Sequence, residues 1–132
     1  MMVSHIAQWT LDVHDVDRMA EFWSRALGYD IDKTDEGNVH LVPRQPGAPT
    51  IWLQPTSAVK RDKLRGHLDL AVDGEPAAEV ARLLALGARR VDIGQSGDEP
   101  FTVLADPEGN EFCLLNRDPT HDQGVPHVAL TT

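Results

Sequence analysis

Two stretches of the chain alternate apolar and polar residues with a period of two: IAQWTLDV at residues 6–13 and RGHLDLAV at residues 65–72. Alternation of this kind predicts a strand with one buried face. Each stretch leads into a segment of helical period. In VDRMAEFWSRAL (16–27), Met19, Phe22, Trp23, Ala26 and Leu27 fall at i, i+3, i+4, i+7 and i+8, with Asp15 placed to cap the start and Gly28 to end it. In EPAAEVARLLAL (75–86), Val80, Leu83 and Leu84 form the stripe, Pro76 stands in the first turn and Gly87 at the stop. Strand-like runs follow each helix: about 30–34, 39–43 and 50–54 after the first, and about 89–93, 101–105 and 110–115 after the second.

The spacing of these elements repeats. Gly28 and Gly87 are 59 residues apart, as are Leu11 and Leu70, and Leu27 and Leu86. The same shift lays Leu53 on Phe112 and Gln54 on Cys113. One offset running from first strand to last predicts a duplicated unit of strand, helix and two or three strands. The expected organisation is module one at about 4–58, a linker at 59–65, module two at about 66–117 and a tail at 118–132.

Composition narrows the function classes. Twelve Lys and Arg against 21 Asp and Glu give a net charge of −9, which repels phosphate backbones and argues against nucleic acid as a partner. No apolar run approaches the roughly 18 residues of a membrane span. The start, MMVSHIAQWT, has neither a charged nor an apolar region of signal-peptide type. A single cysteine makes no internal disulfide, which fits a reducing cytoplasm. The one basic patch is KRDKLRG (60–66), in the linker. Glycine-rich phosphate loops, CxxC pairs, HExxH and GxSxG are absent from the sequence.

Three stretches carry a family resemblance: DxxxxxxFWxxxLGY from Asp15 to Tyr29, LADPEGNEFCLL from Leu104 to Leu115, and VKRDKLRGHLDLAV followed by LLALGARRV. Over roughly residues 4–117 the chain resembles the vicinal oxygen chelate superfamily, which unites glyoxalases, bleomycin-resistance proteins and dioxygenases. Within it the chain is most similar to the glyoxalase-like domain branch. The resemblance implies an α+β fold in which two tandem βαβββ modules form an open eight-stranded barrel-like cavity with the helices outside. On such strands the apolar face meets a helix and the other face meets the cavity. Gln8, Thr10 and Asp12 then face inward, as do Trp52 and Gln54, His67 and Asp69, and Glu111 and Cys113.

In metal-dependent relatives, the first and last strands of each module supply four ligands, and the resemblance lays those positions on Gln8, Gln54, His67 and Cys113. Neutral amides are weak ligands for a divalent ion. The expectation is therefore no metal and no cofactor, and no true glyoxalase I chemistry. What remains is a small-molecule protein, expected to be a metal-independent lyase or isomerase acting on a carbonyl-containing metabolite. His67 or Glu111 would move the proton, with the carboxyl of Glu111 raised by a partly apolar cavity. Gln8 and Gln54 would bind substrate oxygens. Thr10, Asp12, Trp52, Asp69 and Cys113 would complete the lining, with Trp52 as a stacking platform. His67 has an alternative as a histidine satisfied by Asp69, and Cys113 as a small buried hydrophobe.

The alternative function is sequestration of a cationic drug or metabolite, as in bleomycin-resistance proteins, which suits the net charge and Trp52. A homodimer is expected from the resemblance alone. Trp9 and Trp23 are assigned to packing, and His5, His14 and His40 to ordinary surface. The VPHVALTT end (125–132) is expected as an added edge strand or a crossing to a partner subunit.

Overall fold

A computed structural model describes residues 2–34, 36–92 and 97–119. The expectation for residues 125–132 lies outside the described residues. Module one comprises β1 (Gln8–Val13), α1 (Val16–Leu27), β2 (Tyr29–Lys33), β3 (Val39–Pro43) and β4 (Thr50–Pro55). Module two comprises β5 (Leu68–Leu70), α2 (Pro76–Leu86), β6 (Arg89–Arg90), β7 (Phe101–Ala105) and β8 (Glu111–Leu115). The sheets have the same order, β1-β4-β3-β2 and β5-β8-β7-β6, with the first pair of each parallel. They remain two four-stranded sheets that do not close into a barrel, in keeping with the open arrangement expected.

Local chemistry accounts for both helices. The Asp15 side chain accepts from Arg18 N at 3.1 Å, and Gly28 adopts φ +70° while its N–H donates to Ser24 O. A left-handed residue at that point costs glycine little. Met19, Ala20, Phe22, Trp23 and Ala26 are buried along one stripe of α1. Phe22 and Trp23 reach beyond their own sheet to Phe112 of β8, with ring centroids 6.3 and 5.1 Å away. Helix α1 therefore packs on both modules. Each such aromatic contributes on the order of 1.5–3 kcal/mol by leaving water.

The turn Asp106-Pro107-Glu108-Gly109-Asn110 joins the modules. Asp106 is 1% exposed and accepts from Glu108 N, Asn110 N, Asn110 Nδ2 and Trp23 Nε1. Burial pushes its carboxyl up, and the bonds from Asn110, Trp23 and Glu108 oppose that rise. Glu108 turns outward and takes the backbone N–H groups of His14 and Asp15 at 2.7 and 2.6 Å. At the other end of α1, Arg82 of α2 donates to Arg25 O and Ala26 O at 3.1 and 2.9 Å, steadied by Glu79. Module two thus places a carboxylate at the positive end of α1 and a guanidinium at its negative end, as the helix dipole favours.

The repeat keeps its 59-residue offset only through its first half. Thr10 pairs with Trp52 in sheet one, while the equivalent Asp69 pairs with Cys113 in sheet two. The last strands are therefore related by 61 residues, and Gln54 matches Leu115 instead of Cys113. By the same reasoning the third strands are related by 63: Asp30 faces Val42, and its equivalent Arg89 faces Ala105. Loop lengths differ between the modules, and the strands slide to suit them. Each slip is by two residues, so every side chain keeps its face.

Candidate functional site

Phe112 and Leu114 are buried in the main core, which turns Glu111 and Cys113 to the face of β8 away from the helices. Asp69 lies directly opposite Cys113, and His67 precedes it by two residues on the same face. His67 Nε2 stands 3.0 Å from Asp69 Oδ1. With Cys113 Sγ these donor atoms all lie within 4.8 Å of one another. The two alternatives for His67 therefore merge: it is satisfied by Asp69 and is also 37% exposed, oriented and open to a ligand. Cys113 is 8% exposed. Burial pushes its thiol up, and the negative charge of Asp69 adds to this against a smaller opposing effect of Lys63. A raised thiol is a poor nucleophile at neutral pH.

Glu111 departs from expectation. Its side chain is only 11% exposed and pairs with Lys60 Nζ at 2.7 Å, while Leu64 N donates to its other oxygen at 3.3 Å. Burial alone pushes its carboxyl up. The hydrogen bond from Lys60, backbone N–H groups including Leu64, and the ammonium charge outweigh this and hold it below its ordinary value. The expected rise is thus reversed, because the linker brings a cation to the carboxylate. Glu111 fastens the linker to β8 and is no free base.

Two clefts follow the junction of the modules. The smaller, about 280 Å³, is lined by Trp9 and Thr10 of module one and by Arg65, His67, Glu111 and Phe112. The larger, about 610 Å³, lies under the linker, with Asp12, His14, Lys60 and Glu108 among its walls. Of the expected site residues, Thr10, His67 and Glu111 share the smaller cleft, Asp12 lines the larger, and Asp69 and Cys113 adjoin His67. Gln8 is exposed and bonds Thr10 at 3.5 Å, and Gln54 is aligned with Asp12; neither lines these two clefts.

Trp52 is half-buried on the same sheet face as Thr10 and aligned with it. His40 stands opposite it on β3 with its ring edge-on at 5.3 Å, and Asp32 continues the row. His40 belongs to this face and not to ordinary surface. The alternation VHLVP would have placed it there, since Val39 and Leu41 are core. The roles of Glu108 and Arg82 carried no comparable signal, because their partners are distant in sequence.

The set of four metal positions implied by the family does not fit an ion here. Gln8 and Gln54 are neutral amides, weak ligands for a divalent ion, and the register breaks the equivalence of Gln54 with Cys113.

Among described residues, no helix is long and apolar enough to cross a membrane. A family profile described as glyoxalase-like domain matches residues 8–115. Among solved structures, a fosfomycin resistance protein, FosX, from Mesorhizobium loti superposes with a TM-score of 0.69 at 13% identity, covering 90% of this chain and 96% of that one. A hypothetical protein from S. aureus gives 0.66 at 20% identity over 89% and 96%. A glyoxalase/bleomycin resistance protein from Albidiferax ferrireducens gives 0.60 at 21% over 87% and 100%. At these identities the likeness establishes the fold alone. No curated protein matches the chain significantly.

Proposed function

The chain belongs to the glyoxalase-like domain family, within the glyoxalase/bleomycin resistance/dioxygenase superfamily, and on that premise we propose that it is a small-molecule enzyme of lyase or isomerase type. It moves a proton next to a carbonyl in the cleft between the modules. The observation that carries the reading is the His67–Asp69 pair at 3.0 Å on the wall of that cleft. A neutral imidazole whose one nitrogen donates to a carboxylate keeps the other free to take a proton, and the carboxylate stabilises the imidazolium that results. Burial pushes the Cys113 thiol up, away from the form that would attack a ligand. At about 280 Å³ the cleft suits a metabolite of a few carbons. Arg65 on its rim suits an anionic or carbonyl oxygen.

The test is deuterium exchange. The protein is incubated in D₂O with α-hydroxyketones, α-hydroxyaldehydes and 2-oxo acids, and loss of the α-proton is followed by NMR. Exchange of at least one member is expected, reduced by about 10²–10⁴-fold in His67→Ala. Asp69→Asn is expected to lower the rate less and to shift its pH profile. Exchange unaffected by His67→Ala sinks the assignment.

A second reading has its own observation, the Trp52–His40 pair flanked by Thr10 and Asp32. That row offers a stacking surface with negative charge beside it, suited to holding a flat cation without chemistry. Quenching of tryptophan fluorescence by a planar aromatic cation, abolished in Trp52→Ala and without turnover, would favour it.

A further inference from the structure

We propose that the two clefts act as one groove, and that the substrate carries an alkyl chain reaching past the reacting carbons into the larger cleft. Leu11, Leu64 and Asn110 line both clefts, so the two share these walls. Lys60 belongs to the larger cleft and Glu111 to the smaller, and their ion pair at 2.7 Å draws the linker across the boundary. Ligand pockets commonly enclose roughly 300–1,000 Å³. The smaller cleft, at about 280 Å³, falls short of that range, and the larger, at about 610 Å³, lies within it. The His67 end therefore houses the carbons that react, and most of the room lies beyond them.

The walls identify what fills that room. Val59 of the linker is 71% exposed and Trp9 of β1 is exposed too. Val59 lines the larger cleft and Trp9 the smaller, with half-buried Leu11 and Leu64 common to both. Several polar groups of the larger cleft are already engaged. Glu108 holds the N–H groups of His14 and Asp15, the His14 ring meets Ala58 O, Lys60 is held by Glu111, and the Asn110 amide donates to Asp106. Asp12, Arg61 and Asp62 are exposed and keep their charges in water. The apolar side chains are left to meet the ligand, and each methylene they cover strengthens binding about fourfold. That the chain ends in a reacting carbonyl rests on the proposed function; the groove rests on geometry and holds the chain whether or not reaction follows.

Two measurements on the full chain separate the groove from the reaction. The first follows α-proton exchange in D₂O across straight-chain 2-oxo acids of about four to ten carbons. Here kcat/KM is expected to rise about fourfold per added methylene until the groove is full. The second titrates saturated fatty acids of the same lengths against tryptophan fluorescence, and Kd is expected to fall in matching steps. Val59→Asp is expected to flatten both slopes, its loss growing with chain length. Ile31→Asp, at an exposed apolar position on β2 outside both clefts, is expected to keep them, each variant checked for native circular dichroism. Exchange without a chain-length slope overturns the groove and leaves the proposed function standing. A binding slope without exchange in any member supports the groove and counts against the proposed function. Neither exchange nor a binding slope overturns both. A slope that survives Val59→Asp, or falls equally in Ile31→Asp, overturns the placement of the chain under the linker.

Discussion

Single residues in this protein carry assignments that their neighbours in sequence do not disclose. Glu111 shares a face with Cys113, yet Lys60 and Leu64 of the linker claim both its oxygens. Its carboxyl is held below the ordinary value, so it contributes stability above the unfolded glutamate pKa of about 4.3, and that contribution fades as pH falls through the lower folded value. Thermal melts of Glu111→Gln should accordingly lie below those of the parent at neutral pH, with the gap narrowing below about pH 4. Asp106 makes a second case. The motif reads as a turn, and it is one, but its buried carboxylate also holds Trp23 Nε1. Trp23→Phe removes a donor from a group 1% exposed. Urea unfolding should show a loss of about 1–3 kcal/mol, more than the ring's change in size alone explains.

At the level of elements, the helices were legible almost to the residue, because their stripes, Asp15 and the glycine stops act locally. Face was legible as well: Phe112 and Leu114 are core and Glu111 and Cys113 are not. Position along the strand was not. Cys113 faces Asp69 because the connections around β7 differ in length from those around β3, and no alternation records that. Asp69, expected as one lining residue among several, thereby became the centre of the cluster. In sequence the linker shows only as a basic patch, whereas Lys60 is the partner that removes Glu111 from the candidate bases.

The ends of α1 give a prediction at the same scale. Arg82→Met uncaps two carbonyls at one end, and Glu108→Gln removes charge from the other; each should cost about 0.5–2 kcal/mol in urea unfolding. A helix of 12 residues is about 18 Å long, so the two effects should add in the double variant.

Taken whole, the molecule is held together less by its sheets than by α1 and the two modules' shared turn. The sheets do not bond to each other, while Phe22 and Trp23 lie on Phe112 and the Asp106 turn lies on the start of α1. Module two should therefore not melt separately from module one, and calorimetry is expected to record a single transition. The clamps on α1 are also one-sided. At the first half's spacing of 59, Trp23 stands where Arg82 would be; the offsets of 61 to 63 lay Glu108 on residues 45–47, which hold no carboxylate, and α2 begins without a side-chain cap. The halves have ceased to be interchangeable parts. A gene encoding the first half twice would yield a chain with both tryptophan-bearing helices and nothing to seat either of them, so whatever symmetric ancestor gave rise to this protein cannot be rebuilt from its present sequence by simple doubling.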